Sequence, residues 1–215
     1  MAIVLKNNKY NLVIDSKTII GVMGDGYDKF LESLTSDNIF YLDKRISLSS
    51  KKVSSLFNDK SVLQDYEIDK SFLDKNINEL SHSELKLLKY FLLIKSNKKI
   101  IIIDEPFMDL DSFYKKKIMV LFNKLIKLGK TIIIGSCDSN TIYSVCKKIL
   151  FINEKDCYYG EISCLQNKKI LKKYEIDMPD IVSFVNLVKD KKIKIKYSND
   201  IRDLIKDVYR NVSKK

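Results

Sequence analysis

Two stretches of this 215-residue chain combine residue types and spacing that suit phosphate chemistry. The first is Gly21-Val22-Met23-Gly24-Asp25-Gly26-Tyr27-Asp28, a glycine-rich run. Glycines such as Gly21, Gly24 and Gly26 let backbone N–H groups converge on phosphate oxygens with no Cβ in the way. The second is Lys98 to Glu105, KKIIIIDE, an apolar run that ends in two acids. Adjacent acids at a strand end, here Asp104 and Glu105, are suited to holding a divalent cation and to orienting a water.

Both stretches need a sheet to carry them. Lys17 to Met23 (KTIIGVM) reads as a buried strand feeding a tight loop, and Tyr27 to Leu34 as the helix that follows. Ile100 to Ile103 reads as a central parallel strand, apolar on both faces. Apolar residues at 118, 121, 122, 125 and 128 place a helix over Ser112 to Leu128, closed by Gly129. Thr131 to Ser136 is a further strand, Ser139 to Lys148 a helix, and Ile149 to Asn153 another strand. Strands alternating with helices give an α/β fold with a mostly parallel sheet. Beyond about Glu161 the pattern becomes helical, over Ile162 to Tyr174, Asp180 to Lys189 and Asp200 to Val212. The segment Asp37 to Asn78 has the weakest periodicity.

The glycine spacing resembles a P-loop, a motif that also needs Lys for the β- and γ-phosphates and Ser or Thr for Mg²⁺. Tyr27 stands at the lysine position and Asp28 at the hydroxyl position. Lys29 arrives two places late, turned about 200° around a helix, and is expected to point away. Asp25 and Asp28 place carboxylates near a helix N-terminus that would otherwise attract phosphate. The same residues also fit an ordinary glycine-rich strand-to-helix turn with an acidic first turn.

Leu80-Ser81-His82-Ser83-Glu84 opens a helix running to about Ile94, and Ser81 with Glu84 forms a capping box that needs no function. Order and spacing add more, since Glu84 lies 20 residues before Asp104. The block Glu79 to Asp111, ELSHSELKLLKYFLLIKSNKKIIIIDEPFMDLD, resembles the signature-helix, Walker B and D-loop block of ABC ATPases. The resemblance covers most of residues 1 to 160. It implies ATP and Mg²⁺ as cofactors, with Ser81 as the signature serine, Asp104 as the Walker B acid, Glu105 as the catalytic glutamate and Asp111 as the D-loop aspartate. Asn58, in SSLFNDKS, resembles the Q-loop position, and Cys137 stands where the switch histidine would be.

Tyr174 to Tyr209 resembles the C-terminal segment of energy-coupling factor (ECF) transporter ATPases. That resemblance implies a nucleotide-binding domain over 1–160, with its signature part at about 58–98, and a helical extension over 161–215. It also implies a second ABC ATPase subunit as partner, beneath a membrane T component serving S components, at the inner face of the cell membrane. Departures accumulate at Tyr27, Asp28, His82, Ser83, Glu84 and Cys137. The aromatic that stacks on adenine in the family has no clear counterpart: the candidate, Tyr10, sits only 11 residues before Gly21, too close for that place. In ABC dimers each ATP lies between the P-loop of one subunit and the signature of the other. A chain with a poor P-loop can still offer Ser81 to a partner's ATP. The expectation is a degenerate half of a heteromeric ECF-like importer ATPase.

The formal charge of +11 and a pI of about 9.3 favour anionic neighbours. The lysines are scattered, as on a solvated surface. The aromatic and basic interleaving of a nucleic-acid platform is not visible, so nucleic acid is not an expected partner. A non-transport regulatory or nucleic-acid-associated pseudo-ATPase is the alternative reading, and a fully active ATPase with an unorthodox phosphate site is another. No apolar run approaches the roughly 18 residues that span a bilayer. Cys137, Cys146, Cys157 and Cys164 lack C-x-x-C spacing, and reduced, mostly buried thiols are expected.

Overall fold

Runs of β-branched residues and side-chain helix caps set the elements of this chain. The computed structural model describes residues 2–6, 9–34, 36–42, 52–57, 70–191, 195–196 and 201–212. Its strands are β1 (Ala2–Lys6), β2 (Asn11–Asp15), β3 (Ile19–Gly24), β4 (Ile39–Leu42), β5 (Ile100–Asp104), β6 (Thr131–Gly135), β7 (Lys148–Ile152) and β8 (Cys157–Glu161). Its helices are α1 (Tyr27–Ser33), α2 (Lys70–Asp74), α3 (His82–Lys95), α4 (Ser112–Lys127), α5 (Ser139–Val145), α6 (Lys168–Lys173), α7 (Asp180–Asp190) and α8 (Ile201–Val212). The chain divides into two compact units, and the boundary falls inside β6, between Ile133 and Ile134.

The first unit comprises Met1–Lys17 and Leu34–Ile133. Here β4 lies parallel to β5, with Ile39 opposite Ile100 and Leu42 opposite Ile103, and β6 lies on the other side of β5. The four isoleucines of β5 are all buried, as a two-sided parallel strand requires. Helices α3 and α4 pack on each other through Tyr90 and Phe122, whose rings meet edge-on at 5.9 Å. Phe107 joins the same cluster, 6.0 Å from Phe122. Helix α4 ends where Gly129 adopts φ +85°. The Lys130 N–H reaches back to the Leu125 carbonyl and the Gly129 N–H to that of Ile126, a Schellman closure. Antiparallel β1 and β2 pair Val4 with Val13 on the exposed face, while Leu5 and Ile14 are buried.

The second unit comprises Thr18–Ser33 and Ile134–Lys215. Strand β3 is parallel to β7, and β7 is antiparallel to β8. The Ser136 N–H beyond the end of β6 donates to the Val22 carbonyl on the other side of β3. At the C-terminal end, Val185, Ile195 and Leu204 form a small core, with Ile181, Val188 and Val208 partly buried against it. Asn140 at the start of α5 and Asp180 at the start of α7 grip each other. The Asn140 amide donates to the Asp180 carboxylate, and the Asp180 N–H donates back to the Asn140 side-chain oxygen.

Three expectations change. The helix expected over 139–148 stops at Val145, because Cys146 is extended and the Lys147 N–H pairs with the Ile19 carbonyl, which starts β7. The helix expected over 162–174 is a 3₁₀ turn, Ile162–Gln166, followed by α6. The break lies at Asn167, whose side chain accepts from Lys169 N and Ile170 N and so starts a new helix. Of the four free cysteines only Cys146 is buried, Cys137 is exposed, and Cys157 and Cys164 are half-buried. Cys137 lies past the end of β6, outside the buried run that ends at Ser136. Strands β1, β2, β4 and β8 had no counterpart in the sequence reading, since each is only four or five residues long and too short to show a clear period.

Candidate functional site

In the second unit the run from Gly21 to Asp28 ends β3, turns at Asp25 and Gly26, and starts α1. Each glycine has its own reason to be one. A Cβ at position 24 would lie 2.0 Å from the Ile152 carbonyl oxygen, and Gly24 has φ +112°. A Cβ at position 21 would lie 2.5 Å from Cγ2 of Ile142 on α5. Gly26 has φ +73° and open space around it, and its carbonyl accepts from Phe30 N, starting α1. Gly21 and Gly24 are therefore required by packing, whereas Gly26 is required by backbone conformation alone.

Tyr27 lies half-buried with its ring against β6. A Cβ at Gly135 would meet Tyr27 Cε2 at 2.7 Å and Leu31 Cδ1 at 2.4 Å. Asp25, Asp28 and Lys29 are exposed. The loop thus has the turn of a phosphate cradle, but at the two positions that should supply an ammonium and a hydroxyl it carries a packed ring and an exposed carboxylate. These residues do not fit a magnesium-bound triphosphate. Cys137 lies in the same unit, just before Asp138, the N-cap of α5 that accepts from Asn140 N and Thr141 N.

In the first unit Ser81 caps α3. Its hydroxyl accepts from Glu84 N, and Glu84 returns a carboxylate oxygen to Ser81 N at 2.9 Å. Glu84 also accepts from the Lys75 ammonium at 2.7 Å. Burial pushes the Glu84 carboxyl up, but Lys75 and the Ser81 N–H and hydroxyl together bring it below its ordinary value. Asp111 caps α4 in the same way, accepting from Phe113 N and Tyr114 N. Burial raises the pKa of the Tyr114 phenol on α4, and the nearby Ser81 side chain partly offsets that rise.

Asp104 and Glu105 end β5 and are both half-buried. Glu105 has φ +43° and Asp109 φ +60°, left-handed conformations that cost a non-glycine residue about 1 kcal/mol or more. The turn they bracket is held from α3. Lys86 Nζ donates to the carbonyls of Glu105 at 3.1 Å and Met108 at 2.8 Å. One helical turn further on, Tyr90 Oη donates to the Pro106 carbonyl at 2.8 Å. Burial, and then the Asp104 carboxylate, push the Tyr90 phenol far above its usual range, so it stays a donor. A cavity of about 180 Å³ lies beside the turn, with His82, Lys86, Tyr90, Asp104 and Asp109 on its walls.

The structure places Ser81, Asp104, Glu105 and Asp111 in the first unit, and Gly21, Gly24 and Gly26 in the second. Asn58 lies outside the described residues. His82 is exposed at the first position of α3. Lys86, Tyr90 and Tyr114 were not singled out by the sequence. The available signal was that Lys86 and Tyr90 stand four apart, with polar ends aligned on one face of the helix.

The solved structure of cbiO1 from Clostridium perfringens, part of the ABC transporter complex cbiONQ, aligns over 85% of this chain and 96% of that one. Its TM-score is 0.60 at 19% identity. A metal-chelate-type ABC transporter in an inward-facing conformation aligns over 81% of this chain and 88% of that chain, with a TM-score of 0.65 at 16% identity. Among curated sequences, the zinc import ATP-binding protein ZnuC of Ehrlichia chaffeensis is 33% identical over 142 residues, 63% of this chain and 54% of ZnuC. The chain is a homologue of ABC transporter ATP-binding subunits. The energy-coupling factor transporter ATP-binding protein EcfA3 of Oenococcus oeni is 26% identical over 137 residues, 60% of this ABC ATPase-like chain and 46% of EcfA3. The chain therefore spans about half the length of these curated relatives. No family profile matches it. The expected α/β architecture with a mostly parallel sheet is that of ABC ATPase domains.

Proposed function

We propose that this chain is an ATP-binding-cassette subunit of an ECF-type membrane importer, a degenerate half that works with a second, active ATPase subunit. The observation that carries this reading is the state of the Gly21 to Asp28 turn. The ring of Tyr27 is packed on Gly135 and the carboxylates of Asp25 and Asp28 are exposed, so the chain's own loop does not suit ATP. The capped helix starts at Ser81 and Asp111, by contrast, are fully formed. In this reading Ser81 and Asp111 face a nucleotide held by the partner's P-loop, and ATP with Mg²⁺ enters the assembly there. Asp104 and Glu105 keep the positions of the Walker B acid and catalytic glutamate, but no turnover is routed through them in a loop that does not hold the nucleotide.

The same reading makes residues 1–160 the nucleotide-binding domain and 161–215 a helical extension involved in assembly. The ATPase pair would sit beneath a membrane T component that serves the S components. The names of EcfA3 and the cbiO1 complex support this placement. Among the described residues no helix is long and apolar enough to cross a membrane, which suits a peripheral position at the inner face.

The test is affinity capture of the chain from its own cells, followed by ATPase assays of the chain alone and of the captured assembly. Recovery of a second ATPase subunit and a membrane protein, with turnover only in the assembly, is the expected result. Robust ATP hydrolysis by the isolated chain that disappears in Glu105→Gln would overturn the proposal.

A further inference from the structure

Helix α3 begins at Ser81 and then crosses the turn that leads from β5 to Asp111. Two of its side chains, one turn apart, grip three carbonyls of that turn: Lys86 takes Glu105 and Met108, and Tyr90 takes Pro106. Within the turn itself, the bond from Met108 N to the Glu105 carbonyl is long at 3.4 Å. The turn also carries two left-handed non-glycine residues, Glu105 and Asp109, and borders a cavity into which it could relax. A strained turn of this kind persists only where its surroundings hold it. A charged donor with two carbonyl acceptors is among the stronger restraints available to it.

We infer that Lys86 and Tyr90 are positioning residues that lock the Glu105–Asp109 turn, and with it Asp111, to the helix that begins at Ser81. The lock makes the start of α3 and the start of α4 one rigid face. From the α4 side, Tyr114 donates its N–H to Asp111 and has its phenol beside Ser81. Neither Lys86 nor Tyr90 needs to touch nucleotide. Each acts on the residues that would, and this functional consequence rests on the reading proposed above.

The experiment compares Lys86→Met, Lys86→Arg and Tyr90→Phe with the unaltered full chain by amide hydrogen exchange. Loss of the ammonium should speed exchange over residues 105–111 by roughly tenfold, the loss of one strong hydrogen bond, with the amides of α5 unchanged as an internal reference. Lys86→Arg should restore protection, since a guanidinium also donates to two carbonyls. Tyr90→Phe removes a single oxygen and should loosen the same residues to a lesser degree. Unchanged exchange at 105–111 in Lys86→Met, or acceleration spread evenly over the chain in both Lys86→Met and Tyr90→Phe, overturns the inference. In the captured assembly the lock predicts a lower kcat for ATP at an unchanged KM in Lys86→Met, recovered in Lys86→Arg. If exchange responds as stated but no assembly turns over ATP, the lock stands and the proposed function falls.

Discussion

The ring of Tyr27 lies against the backbone of Gly135, so close that a Cβ there would sit 2.7 Å from Cε2 and 2.9 Å from Cδ2 of the ring. The residue at the lysine position of the P-loop pattern is thus a packing element of α1 against β6. Overpacking of this kind costs about 1–3 kcal/mol. Gly135→Ala should lower stability by about that amount in denaturant titrations, and Tyr27→Ala in the same chain should recover part of the loss. Strictly additive losses in the double variant would show that the two residues do not interact.

The glycines of the turn should separate by cause. Gly24→Ala forces a Cβ to 2.0 Å from the Ile152 carbonyl oxygen and should prevent stable folding. Gly26→Ala meets open space and only the backbone penalty of φ +73°, about 1–2 kcal/mol. Thermal melts decide the order, and a less stable Gly26→Ala than Gly24→Ala would refute it.

Acid should undo the capping box of α3. The Glu84 carboxyl is held below its ordinary value of 4.5, so its contribution is fully present above that pH and is lost as pH falls through the lower folded-state value. The stability difference between the unaltered chain and Glu84→Gln should therefore shrink between about pH 7 and about pH 3. A gap that holds constant or widens on acidification contradicts this.

Lys130 is only 8% exposed, and its ammonium donates to the carbonyls of Ser96 and Lys98. Burial lowers its pKa, and the two carbonyls are what it gains in exchange. Lys130→Met should cost about 1–3 kcal/mol, because it leaves both carbonyls without that donor. Equal or higher stability of the variant in urea titrations would count against the arrangement.

Much of the framework was legible because its causes are local. The isoleucines of β5, the Ser81–Glu84 box, the Gly129 closure and the Asp111 position before α4 each depend on residues within a few places of one another. Periodicity and cap chemistry record such relationships directly. Strand β4 escaped because four residues, Ile39 to Leu42, are too few to show a period beside polar neighbours. The break at Asn167 escaped because an asparagine cap interrupts a stretch whose helical spacing otherwise continues.

By itself, then, the sequence determined the strand-to-helix framework, the places of Asp104 and Glu105, and the absence of a lysine from the Gly21 to Asp28 turn. Only the tertiary structure decided that Gly21 and Gly24 are held by Ile142 and Ile152, that Tyr27 is spent on Gly135, and that Lys86 and Tyr90 hold the turn after β5. Those contacts join residues 16 to more than 100 positions apart. Each depends on how closely two backbones approach, a distance that packing sets and that no local pattern records.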